Sequence, residues 1–148
     1  MAHTYPFSIH WQGSTSDPAY GTDAVAQAPG KPSLPVSSAP EFRGNPSKWN
    51  PEDLLGAALS TCHMLTFLAL CARARVEVKH YQDHAESVLD TVGKVTRVTE
   101  IRLSPVIRVG AGASAAKVLE LFEKAHKHCF VAQSVSAKVV LAARVVEA

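Results

Sequence analysis

A long apolar stretch from Asn50 to Val76 constrains the fold of this chain more than any other feature. It reads NPEDLLGAALSTCHMLTFLALCARARV, and between Leu54 and Ala72 it carries no charged side chain. Asparagine is a preferred helix N-cap and proline suits the first helical position, so Asn50 and Pro51 predict where a helix begins. Because apolar side chains lie on every face of that helix, we expect it to be packed on all sides inside the protein.

The same helix is expected to fall short of a membrane span, which needs roughly 18 to 20 unbroken apolar residues. Polar residues interrupt the run and arginines close its end: Ser60, Thr61, His63, Thr66, Arg73 and Arg75. The N-terminus has neither a basic start nor an apolar signal core, which indicates that the chain is not exported. We therefore expect a cytoplasmic protein that does not bind a membrane.

Length and charge exclude several other classes of protein. A chain of 148 residues is long enough for one hydrophobic core and too short for two, so we expect a single domain, residues 1–148. The net charge of +2 comes from dispersed side chains rather than from a basic cluster, which argues against nucleic-acid binding. No glycine-rich phosphate loop or dinucleotide fingerprint occurs, so the sequence indicates no nucleotide cofactor.

Patterns on either side of the central helix predict strands and a second helix. Residues 4–11, 22–27 and the segment around Leu34 and Val36 have the pattern of short N-terminal strands. Alternating residues from Val76 to about Asp90, and again from Val95 to Val109, predict a long hairpin with a turn near 90–94.

The remainder of the chain predicts one more helix and one more strand. Ser114 can cap a helix whose apolar residues recur at helical spacing: Val118, Leu121, Phe122, Ala125 and Cys129. Residues 136–146 are again β-branched and alternating, and Pro105 places its part of the hairpin at an edge or a bulge. Strands, a buried helix, a hairpin, a helix and a strand make an α+β fold.

The three cysteines cannot form a framework of structural disulfides in a reducing compartment. A free cysteine on an apolar helix is more often a small core residue than a nucleophile. Cys71 follows Cys62 by nine residues, which at about 100° per residue places it on the opposite face of the helix. Cys62 and Cys129 lie on separate helices, each on a face expected to point inward. These two could therefore meet across the core.

A reactive Cys62 must be a thiolate, and it lies ~16 Å from the first turn of its helix, where the helix dipole has faded. A cation is therefore needed, and Arg43 in the preceding loop is the best candidate, because a guanidinium keeps its charge in an apolar pocket. Glu52 lies ~15 Å along the axis from Cys62 and cannot touch it. Either Glu52 only stabilises the helix N-terminus, or a site with Arg43, Glu52 and Cys62 draws on another subunit.

Histidines near both cysteines leave open a zinc- or ligand-binding protein as the alternative function. His126 and His128 precede Cys129, and His63 follows Cys62. The chain has no Cys-x2-Cys or His-x3-His pair on one helix face, which is the spacing typical of metal sites. Surface histidines are the simpler interpretation.

Two segments resemble the OsmC/Ohr family of thiol-dependent peroxidases, and the resemblance covers most of the chain. NPEDLLGAALSTCHM resembles the family's helix-opening N-P-E-x-L motif, in which a reactive cysteine follows ten residues after the glutamate, and HCFVAQSVSAKV resembles the segment with the second cysteine. The resemblance implies an intertwined homodimer of α+β subunits with each active site at the interface.

By this resemblance Cys62 is the peroxidatic cysteine, Cys129 the resolving cysteine, Arg43 the activating arginine and Glu52 its carboxylate partner. The implied substrate is an organic hydroperoxide, with an external dithiol as reductant and no metal or flavin cofactor. Two features depart from the family pattern. Phe130 follows the second cysteine where typical members have proline, and no arginine precedes Arg43, whereas the Ohr branch takes its arginine from a more N-terminal loop.

An apolar environment for Cys62 is also expected, with Leu59, Leu65, Phe42, Trp49 and Phe130 as the candidate residues. Such surroundings favour organic peroxides over hydrogen peroxide. A third interpretation is a relative of the family that keeps the dimeric fold but does not turn over peroxide.

Overall fold

The computed structural model describes residues 1–147, which divide into two compact units. The first unit is Met1–Leu54, and the second begins at Leu55 and takes in the rest of the described chain. That residues 1–148 fold as a single domain stays a prediction.

The first unit contains a three-stranded antiparallel sheet. Its strands are β1 (Ser8–His10), β2 (Ala24–Gln27) and β3 (Leu34–Val36), adjacent in that order. The predicted N-terminal strands are confirmed, although β1 is shorter than the alternating segment 4–11. A 3-10 turn, Pro40–Phe42, then leads towards the long helix.

The first helix, α1, runs from Pro51 to Arg73 and begins where the sequence predicts. The Asn50 side chain accepts a hydrogen bond from the N–H of Asp53 at 2.8 Å, and the N–H of Asn50 donates to the Asp53 carboxylate at 3.1 Å. This reciprocal cap satisfies two backbone donors at the start of the helix, and the acidic side chain there also complements the helix dipole.

Within one chain α1 is buried along a single face. The buried residues recur at helical spacing: Gly56, Leu59, His63, Phe67 and Cys71. On the other side an exposed stripe contains no charge and mostly small side chains: Ala58, Thr61, Leu65, Ala69 and Ala72. One chain by itself leaves this stripe of α1 exposed, so the prediction that α1 is packed on all sides inside the protein stays a prediction.

The expectation that α1 falls short of a membrane span is also wrong by length and composition. Among the described residues α1 is the one helix long and apolar enough to cross a bilayer, because its interrupting polar side chains are few and scattered. The core helix of a soluble protein passes the same test, so the feature is weak evidence for a membrane.

The predicted hairpin is present, with each arm divided into two strands. Strands β5 (Glu86–Val92) and β6 (Val95–Leu103) form its tip, and Gly93 takes the positive φ of 65° that the tight turn requires. Strands β4 (Val78–Asp83) and β7 (Pro105–Val109) pair antiparallel at its base.

Pro105 was predicted at an edge or a bulge and lies at neither: it pairs in register with Asp83, and the irregularity between β4 and β7 lies between Val78 and His80. Strand β7 is the middle strand of a sheet with the order β4-β7-β9, where β9 is Arg144–Glu147. Pro105 is the first residue of β7, a position at which a strand tolerates the missing N–H.

The predicted last strand is also divided in two. Strand β8 (Lys138–Leu141) runs parallel to β6 and completes the sheet β5-β6-β8, while β9 runs parallel to β7. The inward residues of β6 and β7 keep one parity and are fully buried: Ile101, Leu103, Ile107 and Val109.

The second helix, α2 (Ala115–His128), begins at the predicted cap, where the Ser114 hydroxyl accepts a hydrogen bond from Lys117 N–H at 3.2 Å. Its predicted apolar face is buried, and the ring of Phe122 packs against α1. Ring centroids lie 4.4 Å from His63 and 5.6 Å from Phe67. The α+β fold is confirmed, and the packing of α2 on α1 sets the position of the candidate site.

Candidate active site

Cys62 and Cys129 meet in the second unit, as the sequence predicts. Cys62 is half-buried midway along α1, and Cys129 is fully buried at the C-cap of α2. Their side chains are hydrogen-bonded to each other as two free thiols, with no disulfide between them. The catalytic roles of the two cysteines stay predictions.

The turn that follows α2, Cys129–Ser134, places backbone N–H groups around both sulfur atoms. Its conformation is held by a hydrogen bond from Gln133 N–H to the Cys129 carbonyl at 3.2 Å and by one from the Ser134 hydroxyl to the Phe130 carbonyl at 2.8 Å. The N–H groups of Phe130 and Val131 donate to Cys62. The turn thereby offers several dipoles to a negative charge on sulfur.

These donors make Cys62 the more acidic of the two thiols. Burial alone raises the pKa of Cys62, but hydrogen bonds from the Val131 N–H, the Cys129 thiol, the Phe130 N–H and the Thr66 hydroxyl outweigh burial and lower it. For Cys129, burial and the neighbouring Cys62 thiolate raise the pKa. Of the two thiols, Cys62 therefore ionises the more readily, and Cys129 keeps its proton the more readily.

Thr66 also belongs to this site, although the sequence by itself indicates only a polar interruption of the helix. Its hydroxyl donates to the Cys62 carbonyl at 2.8 Å and is also within reach of the Cys62 sulfur. The signal was present in the sequence, because residues at i and i+4 of a helix lie on the same face.

Phe130 contributes a backbone N–H donor that proline, the residue of typical family members at this position, cannot supply. Proline has no N–H, so the departure from the family pattern at this position adds a hydrogen bond to Cys62. The Phe130 side chain is 83% exposed and Leu65 is 58% exposed, whereas Leu59 is fully buried in the core. Of the apolar residues expected around Cys62, Leu65 and Phe130 thus remain open to solvent in the isolated chain.

Cys71 behaves as the core residue that its helix face predicts. It is 2% exposed, and burial raises the pKa of its thiol to about 11. A thiol with that pKa is almost entirely protonated at neutral pH and is a poor nucleophile.

His63 also lies away from the two cysteines, on the buried face of α1. Its ring is fully buried against Phe122, and burial lowers the pKa of His63 to about 4, so that the imidazole is neutral. Within residues 1–147 no group of three or more side chains is arranged to hold a metal ion. His63 is thus a core side chain rather than a partner of Cys62.

Arg43 and Glu52 belong to the first unit. Arg43 has a positive φ of 64°, its guanidinium donates to the Pro18 carbonyl at 3.0 Å, and it lies over the Tyr20 ring at 5.0 Å from the centroid. Glu52 is half-buried in the first turn of α1. Phe42 and Trp49, in the same unit, are 52% and 47% exposed.

Comparison with known proteins identifies the family of the chain. The model of the OsmC-like protein family matches residues 44–143, which is well over half of the sequence. The chain belongs to the OsmC-like family. The matched region includes Glu52, Cys62 and Cys129, and Arg43 lies one residue before it.

Solved structures of OsmC-like proteins share the fold over nearly the whole chain. An OsmC-like protein of unknown function from Vibrio cholerae is 27% identical, with a TM-score of 0.89 over 97% of this chain and 100% of that one. An organic hydroperoxide resistance protein from Elizabethkingia anophelis is 18% identical, with a TM-score of 0.71 over 100% of both chains. A third structure, of an organic hydroperoxide resistance protein OsmC from Legionella pneumophila, is 16% identical, with a TM-score of 0.67 over 98% of both chains.

The last two similarities, at such low identity, support the OsmC-like fold alone. No protein with a curated description matches this sequence.

Proposed function

We propose that this OsmC-like protein is a thiol peroxidase that reduces organic hydroperoxides. The observation that carries the proposal is the pair of hydrogen-bonded thiols, in which Cys62 has the lowered pKa and Cys129 the raised one. A thiolate is the form of cysteine that attacks peroxides, and a second thiol in contact with it can complete a disulfide.

The proposed reaction has two steps on the protein. The Cys62 thiolate attacks the distal oxygen of the hydroperoxide, which gives a Cys62 sulfenic acid and an alcohol. The Cys129 sulfur then displaces hydroxide from the sulfenic acid and forms the Cys62–Cys129 disulfide. An external dithiol reduces the disulfide, and this dependence on a reductant fits a cytoplasmic protein.

Organic hydroperoxides are the preferred substrates in this proposal because a large apolar side chain lies beside the reactive thiol. Phe130 supplies an N–H to the Cys62 sulfur, and its side chain is 83% exposed. An apolar surface at the mouth of a site binds an alkyl group better than it binds hydrogen peroxide.

In this proposal the protein acts as a homodimer, and the exposed stripe of α1 forms part of the interface. That stripe, defined above from Ala58 to Ala72, is uncharged along its length. Small side chains allow two helices to approach closely, and burying the stripe removes apolar surface from water. In this dimer Arg43 and Glu52 have the activating and orienting roles that the family resemblance implies.

The test is peroxide consumption by cysteine variants supplied with a dithiol. We expect Cys62→Ser to consume no alkyl hydroperoxide above the uncatalysed rate, because the nucleophile is lost. Cys129→Ser is expected to react once and then stop as sulfenic acid, which excess peroxide oxidises to sulfinic acid. Cys71→Ser is the matched control and retains turnover, while multiple turnover in Cys62→Ser contradicts the proposal.

A further inference from the structure

The donors around Cys62 differ in whether they can give up a proton. Among the described residues, four groups donate to its sulfur: two backbone N–H groups, the Thr66 hydroxyl and the Cys129 thiol. Amide and hydroxyl groups are extremely weak acids, whereas a thiol ionises within a few pH units of neutrality. Cys129 is therefore the one member of this set that can act as an acid.

The first step of the proposed reaction requires such an acid. When a thiolate attacks a hydroperoxide, the O–O bond breaks and the leaving oxygen departs as an alkoxide, which is a far stronger base than a thiolate. Proton transfer to a leaving group in the transition state typically accelerates a reaction by about 10² to 10⁴. A proton donor that already touches the attacking sulfur is well placed to supply it.

His63 does not have this role although it is adjacent to Cys62 in the sequence. Its ring packs on Phe122 with 4.4 Å between centroids, on a different face of α1 from the reactive sulfur. It is fully buried, and at neutral pH it is uncharged. The acid in contact with the reacting atoms is a second thiol.

We propose that the Cys129 thiol protonates the departing alkoxide, so that the acid of the first step becomes the nucleophile of the second. This inference rests on the proposed peroxidase function and deepens it. Cys129 is fully buried at the C-cap of α2, and its thiol is hydrogen-bonded to Cys62. The hydrogen bond keeps the Cys129 proton beside the reacting atoms until the peroxide arrives.

The steps balance in atoms and charge. In the first, the S–O bond forms, the O–O bond breaks, and the proton of Cys129 moves to the alkoxide, which leaves Cys62–SOH, an alcohol and the Cys129 thiolate. In the second, that thiolate forms the S–S bond and hydroxide leaves from Cys62. Cys62 and Cys129 are together oxidised by two electrons, and the hydroperoxide is reduced by two.

The consequence is that Cys129 contributes before the disulfide forms. If it only resolves the sulfenic acid, its removal leaves the rate of the first step unchanged. If it is the acid, its removal slows the first step for leaving groups that need a proton. Peroxides with different leaving groups therefore separate the two roles.

The experiment measures a single turnover of Cys62 to sulfenic acid with tert-butyl hydroperoxide and with peracetic acid. The first releases an alkoxide, and the second releases a carboxylate that is stable without a proton at neutral pH. For Cys129→Ser we expect the rate with tert-butyl hydroperoxide to fall by roughly 100-fold. The rate with peracetic acid, which depends on the same Cys62 thiolate, reports separately any change in thiolate population.

Cys129→Ala is measured in parallel because it removes the hydroxyl as well, and Cys71→Ser is the control for loss of a buried thiol elsewhere on α1. A selective loss with tert-butyl hydroperoxide in both Cys129 variants supports the inference. Equal losses with both oxidants, or no loss with either, overturn it and leave Cys129 as a resolving cysteine. If Cys62 of the unmodified protein reacts with neither oxidant, the peroxidase function itself is overturned, and the inference with it.

Discussion

At the level of single residues, neutral hydrogen-bond donors lower the pKa of Cys62, and the activation of Cys62 by Arg43 stays a prediction. The sequence identifies Cys62 and Cys129 because their spacing and helix faces are visible in it. It does not show that the N–H groups of Phe130 and Val131 donate to Cys62, because the direction of these groups depends on the turn after α2. Thr66 could have been found from its i+4 position alone.

Thr66→Val should raise the pKa of Cys62, since valine keeps the shape of threonine but has no hydroxyl. A hydrogen bond to a charged group is worth about 1.5 to 3 kcal/mol, and this hydroxyl shares its proton with the Cys62 carbonyl. We therefore expect a fall of roughly three- to tenfold in reaction rate with an alkyl hydroperoxide at neutral pH.

The measurement is the ultraviolet absorbance of the Cys62 thiolate as a function of pH, made in a Cys71→Ser background. Thr66→Ser keeps the hydroxyl and should titrate like the unmodified protein. An unchanged titration curve for Thr66→Val shows that the hydroxyl bonds only to the carbonyl.

His63 should make the protein lose stability in mild acid. Burial lowers its pKa from 6.5 to about 4, so the folded state favours neutral imidazole while the unfolded chain takes up a proton more readily. The resulting stability is fully present above pH 6.5 and is lost as the pH falls towards 4. We expect a loss on the order of 2 kcal/mol across this range from His63.

Urea unfolding at several pH values tests this expectation. His63→Leu removes the titrating group, so the free energy of unfolding of this variant should vary less with pH between 6.5 and 4. If the free energy of unfolding falls equally steeply with pH in both proteins, the acid sensitivity belongs to carboxylates instead. One such carboxylate is Asp23, whose pKa is lowered by Lys48.

At the level of elements, local sequence determines where α1 and α2 begin, since Asn50 and Ser114 each cap a helix as predicted. The pairing of strands that lie far apart in the chain is harder to predict from the sequence than these helix starts. The sequence predicts an edge or a bulge at Pro105, but β9 pairs beside β7, so that β7 is the middle strand of its sheet. Only a parallel contact between segments far apart in sequence produces this arrangement.

The exposed stripe of α1 leads to a prediction about assembly. Leu65→Glu places a charge at the centre of the stripe and should convert the proposed dimer to a monomer, because burying an unpaired carboxylate costs several kcal/mol. The measurement is light scattering on the eluted protein, with circular dichroism to show that the helices remain.

Leu119→Glu is the matched control, since Leu119 is a 39% exposed leucine on α2, outside the stripe. It should leave the oligomeric state unchanged. A Leu65→Glu protein that remains a dimer removes the α1 stripe from the interface.

At the level of the whole molecule, the sequence predicts the α+β fold and the meeting of two cysteines that lie far apart in the chain. The meeting follows because α2 packs on α1 and ends beside Cys62, and amphipathic spacing makes that packing foreseeable. The arrangement of Arg43 and Glu52 is not foreseeable in the same way. Their roles stay predictions, because a role in a shared site depends on the assembly of two subunits, which no local pattern encodes.

The most direct test of the central claim is the mass of the reduced protein after one equivalent of an alkyl hydroperoxide. If Cys62 is the peroxidatic cysteine and Cys129 resolves it, the intact mass falls by two hydrogens. A non-reducing peptide map then shows a Cys62–Cys129 disulfide and an unmodified Cys71. An unchanged mass, or a disulfide that contains Cys71, contradicts the claim.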